Sequence, residues 1–113
     1  YIQKSYVHYK NQFHQFNTQK EHNMNENNYT QLVTAFAEAN GFTFYQGAQA
    51  SPALIRNWVN GPRKIHFVSY GNDSQTASWH FINEGFEHPV SHLGTGINEL
   101  TDWLNNVIAP QLP

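Results

Sequence analysis

The sequence has no cysteine, which excludes a disulfide framework and any thiolate-held metal and leaves the redox compartment unread. Charge is equally scarce. Asp, Glu, Lys and Arg make up 12% of the 113 residues, against roughly 25% in an average domain. Six Lys+Arg against eight Asp+Glu give a net charge of −2, so there is no basic field for a phosphate backbone, and nonspecific nucleic-acid binding is not expected. No apolar run exceeds three residues, far below the roughly 20 needed to span a bilayer as a helix, so no transmembrane segment is expected.

In place of charge the chain carries 14 Asn and 9 Gln, together with three Trp, six Tyr and eight Phe. The rings supply a core for one domain, and the amides supply a polar, neutral surface. The expectation is a single α+β domain over residues 1–113, with 1–23 as a candidate appended helix. Tyr1 is not a methionine, which points to an upstream segment removed by processing or trimming, a secretion signal and a lipid anchor being the two candidates. Met24 is an alternative internal start.

Periodicity predicts a first helix from about Ile2 to Gln19, because Ile2, Tyr6, Tyr9, Phe13 and Phe16 fall on one stripe. A second is expected after Asn28 as N-cap, with Tyr29, Leu32, Val33 and Phe36 on one face and Asn40-Gly41 as its stop. Phe42 to Gln46 reads as a short strand. Ser51 as cap and Pro52 in the first turn predict a third helix, burying Leu54, Ile55, Trp58 and Val59 and ending at Gly61-Pro62. Lys64 to Tyr70 and Thr76 to Ile82 read as a hairpin, with Phe67 opposite Trp79 and Ile65 opposite Phe81 so that the rings share a face. A last helix opens at Gly94 or Thr95 and buries Ile97, Leu100, Trp103, Leu104, Val107 and Ile108 until Pro110 stops it. The order α-α-β-α-β-β-α implies a small three-stranded mixed sheet, one crossover plus a hairpin, covered by three to four helices.

Chemistry-bearing groups are few. The expected hairpin register sets His66 opposite His80 on the face away from the rings, close enough to share a proton or a metal ion. A third ligand would have to come from Glu84, Glu87, His88 or His92, and no spacing demands one, so the sequence assigns no metal and no cofactor. A nucleophile elbow, a phosphate loop and a catalytic carboxylate pair are all missing, and Glu99 and Asp102 read as the solvated face of the last helix; no catalytic residue is assigned. Protonating all seven histidines would move the formal charge from −2 to +5, which suggests attachment to an anionic cell surface at low pH.

These features favour a noncatalytic binding or interaction module, extracytoplasmic rather than cytoplasmic, that meets a protein or cell-surface ligand through a neutral Asn, Gln and aromatic surface. Tyr45, Tyr70, His66 and His80 are its candidate contact residues, the two tyrosines because they lie at strand ends beside loops. The alternative is a small intracellular or phage-type protein that docks to a partner, or forms a homodimer, through Ile2, Tyr6, Tyr9, Phe13 and Phe16. A histidine-based, metal-dependent enzyme is the third reading.

Overall fold

A computed structural model describes residues 28–113; the expected first helix and its docking stripe lie outside the described residues. Helix α1 (Tyr29–Ala39) leads into five strands, β1 (Thr43–Ala50), β2 (Ala53–Asn60), β3 (Arg63–Ser69), β4 (Ser78–Glu84) and β5 (Val90–Thr95). Helix α2 (Ile97–Trp103) follows and continues through π-type turns (Leu104–Ile108) into a 3-10 turn (Ala109–Gln111). The strands form one sheet in the order β1-β2-β3-β4-β5, each antiparallel to its neighbour.

Helix α1 begins where its cap chemistry says it should. The Asn28 side chain accepts from the Gln31 amide at 3.1 Å, satisfying one of the free first-turn donors. It ends at Gly41, whose φ of +83° lets the chain reverse while the Phe42 amide donates back to the Ala37 carbonyl at 2.9 Å. Tyr29, Leu32, Val33 and Phe36 are buried. They pack with Trp58, Ile65, Phe67, Trp79 and Phe81 of the sheet and with Leu100, Leu104 and Ile108 of the C-terminal helical rod in one core. Both helices therefore lie on the same face, and among the described residues no helix covers the other. None is long and apolar enough to cross a membrane.

The three-stranded mixed sheet with three to four helices is thus corrected to a five-stranded antiparallel meander with two helices. The largest change is the expected third helix, which is strand β2. Ser51-Pro52 forms the two-residue turn between β1 and β2 instead of a helix start, with a cis peptide bond, and Ala50 pairs with Ala53 across it. Leu54, Ile55, Trp58 and Val59 fit a helical stripe, but they equally fit a strand with apolar groups on both faces. Trp58 is buried inward, and β-branched Ile55 and Val59 favour the extended chain. Strand β2 lies between β1 and β3 and pairs with both along its length, so neighbours distant in sequence decide the outcome.

The last helix starts at Ile97, not at Gly94 or Thr95, because those residues end β5. That strand escapes the alternation pattern because its inward position opposite Trp79 is Gly94. A β-carbon there would collide with the Trp79 ring, so the residue filling the inward slot belongs to the neighbouring strand. The expected hairpin is present as β3 and β4, but its register is two residues from the expected one: Phe67 faces Phe81, Ile65 faces Asn83 and Ser69 faces Trp79. A shift of two keeps every side chain on its face. The rings still point inward, and His66 and His80 point outward.

Candidate functional site

The outward face of the sheet is built from alternate residues of every strand. One cross-strand row runs Ala48, Ile55, Val68, His80, Leu93, and the next runs Gln46, Asn57, His66, Ile82, Ser91. The face carries apolar groups interleaved with amides, hydroxyls and imidazoles, and Leu93 is 65% exposed. His66 and His80 are not opposite each other: His66 faces Ile82, and His80 faces Val68. Each imidazole is engaged sideways instead. His66 Nδ1 donates to Asn57 Oδ1 at 2.6 Å, and His80 Nε2 shares a hydrogen bond with Ser91 Oγ at 2.6 Å. Among the described residues no three His, Asp or Glu side chains converge as a metal would require.

A bulge in β1 moves the register between Phe44 and Gln46, leaving Tyr45 as the extra residue. Tyr45 is 69% exposed and forms one wall of a hollow of about 370 Å³ with Gln46, Asn57, Val59 and Lys64. A second hollow shares Asn57 and Lys64 and continues over His66, Ile82 and Glu84. Together they make a groove running obliquely from β1 to β4. Of the four residues expected to make contacts, Tyr45 and His66 border this groove, and Asn57, which bonds His66, lines both hollows. His80 lies in the neighbouring row, and Tyr70 sits at the end of β3, where its amide donates to the Ser78 carbonyl at 3.1 Å. Gln46, Asn57 and Lys64 also line the groove, and they come together only because Asn57 lies on strand β2 and not on the expected helix.

Two further polar clusters lie elsewhere. At the β5–α2 corner, His92 Nε2 donates to Glu99 Oε2 at 2.8 Å, and the other carboxylate oxygen accepts from the Thr95 amide at 3.2 Å. These bonds, that from His92 foremost, hold the Glu99 carboxyl below the usual carboxylate range. Trp103 stacks on the imidazole, with ring centres 4.3 Å apart. One imidazole nitrogen is taken by the carboxylate, and among the described residues no nucleophile is hydrogen-bonded to either partner; the two bonds of Glu99 fasten β5 to α2.

The other cluster joins both helix starts to the β3–β4 connection. Asp73 is 4% exposed; its carboxylate accepts from the Thr30 amide at 3.1 Å and from the Thr30 hydroxyl at 3.1 Å. A negative charge on the first turn of α1 complements the helix dipole. The Tyr29 hydroxyl donates to the Ala77 carbonyl and accepts from the Gly96 amide at 3.0 Å. Burial pushes the Tyr29 phenol above its ordinary value, against the lowering effect of the Gly96 amide and with a smaller push from Asp73.

No known protein family, curated protein or solved structure matches this chain.

Proposed function

We propose that the chain is a noncatalytic binding module whose contact surface is the outward sheet face beside the β1–β2 hairpin. The observation that carries this reading is the groove bordered by Tyr45, Gln46, Asn57, Lys64 and His66 on a face that no described helix covers. An exposed ring supplies stacking area at low entropic cost, and the neighbouring amides supply oriented donors and acceptors. The ligand is a protein or cell-surface molecule, and extracytoplasmic work fits the low overall charge. The test is a heteronuclear NMR titration of the intact chain with panels of neutral oligosaccharides and of peptides. Saturable shifts centred on Tyr45, Gln46, Asn57 and His66, lost in Tyr45→Ala without a change in unfolding midpoint, support the reading. Shifts centred on His92 and Glu99, or none from any panel, refute it.

A further inference from the structure

The two edges of the sheet differ. At the β5 edge the Thr95 amide is taken by Glu99 and the Val90 amide by the Asn83 side chain at 2.8 Å, while α2 follows the strand directly. At the opposite edge β1 pairs only with β2 among the described residues, and all eight of its residues are exposed. It contains no proline and no charge, two of the devices by which edge strands repel further pairing.

Each side of this edge has a hollow. On the outward face lies the one bordered by Tyr45, Gln46 and Lys64. On the inward face, beyond the helices, a second of about 340 Å³ is bordered by Phe44, Gly47, Gln49 and Arg56. Successive side chains of a strand point to opposite faces, so a strand added along β1 would send alternate residues toward the two hollows. The charged groups lining them are Lys64 on one face, with Glu84 opposite it on β4, and Arg56 on the other. Arg56 Nη1 is held by the carbonyls of Ile55 at 2.8 Å and Ala48 at 3.0 Å, which aims the cation along the edge with donors to spare.

We infer that β1 is a docking edge for an extended, acidic segment of a partner protein, which adds as a sixth strand and places its carboxylates toward Arg56 and Lys64. Main-chain pairing supplies the affinity, and the two hollows supply the selectivity. This rests on the reading of the hairpin side as the contact surface and adds the mode of contact and the charge of the partner.

The probe is an acetylated, amidated octapeptide in which glutamate pairs alternate with valine–tyrosine pairs, so that both faces of the added strand carry carboxylates. It is compared with its lysine counterpart and with versions N-methylated at successive residues, all titrated into the intact chain. The acidic peptide should shift the amides of Gly47 to Gln49 and bind about tenfold tighter than the lysine form, consistent with close opposite charges. N-methylation should abolish binding at alternate positions only. Lys64→Gln, at an exposed site, and Arg56→Gln should each weaken binding about threefold or more, with thermal unfolding confirming that both variants fold. Equal affinity for both charge forms, or indifference to N-methylation, overturns the inference. So does a free chain that sediments as a dimer with β1 amides protected from exchange, which would assign the edge to a second copy. Binding across the Tyr45–Asn57–His66 groove without N-methyl sensitivity would remove strand addition and leave the proposed function standing, whereas no binding on either surface removes both.

Discussion

Single side chains carry disproportionate weight where they bridge elements. The Tyr29 hydroxyl serves the Ala77 carbonyl and the Gly96 amide together, so Tyr29→Phe leaves two groups without that partner and should cost about 1–3 kcal/mol in denaturant unfolding. Its phenol has a folded-state pKa raised above the ordinary 10.0. The native chain keeps this proton at a pH where the unfolded chain has lost it. The associated stability is therefore intact below pH 10 and declines as pH rises through the higher folded value; an alkaline unfolding series on Tyr29→Phe should lack this component. Asp73 sits at φ +67°, a backbone conformation that Asn also tolerates. Asp73→Asn thus isolates the charge at the start of α1, and a loss of about 1–2 kcal/mol is expected. Gly94→Ala pushes a methyl group into the Trp79 ring and should cost about 1–3 kcal/mol as an overpacked core, accompanied by a changed Trp fluorescence spectrum.

At the scale of elements, the His92–Glu99 pair ties β5 to α2. The Glu99 carboxyl is held below its usual 4.5, so its contribution is present above that pH and fades as pH falls through the lowered value. The side chain of Glu99 is 46% exposed, which limits the effect to less than about 1 kcal/mol. Glu99→Gln should flatten the acid limb of the stability profile by that small amount, measured by urea midpoints between pH 3 and 6.

Legibility follows the range of the deciding contacts. Helix α1 is readable because Asn28, its apolar stripe and Gly41 lie within one short segment. The last helix is readable in its body from Leu100, Leu104 and Ile108, but its start is not, since Gly94 and Thr95 are claimed by pairing with Trp79 and Ser78. The facing of β3 and β4 is visible in the alternation of Ile65, Phe67, Trp79 and Phe81. Their register is not, because two pairings separated by two residues bury the same rings. Strand β2 was unreadable: its apolar spacing fits two periods, and only β1 and β3 choose between them. The groove inherited that error, as Asn57 and Lys64 become neighbours only once both strands exist.

Taken whole, the molecule between α1 and α2 is a sequence of hairpins. Every strand pairs with the strand next to it in the chain, so each loop closes over a short distance before pairing is gained. The main refolding phase from urea should fall on a timescale of about milliseconds, faster than sandwich folds of equal length, and stopped-flow Trp fluorescence checks it. The cation-lined hollows flanking β1 lie at the end of this series, next to the strand with least burial, so a ligand binding there would stabilise the hairpin that opens most easily.

Both helices are moored to one connection. Thr30 reaches Asp73, while Ile97 donates to the Gln75 carbonyl at 3.1 Å, so the stretch from Gly71 to Ala77 works as a shared hinge pin for segments more than sixty positions apart. Loosening that pin should let α1 and the C-terminal rod swing away together, and their deuterium uptake would then rise in step while the central ribbons stay shielded.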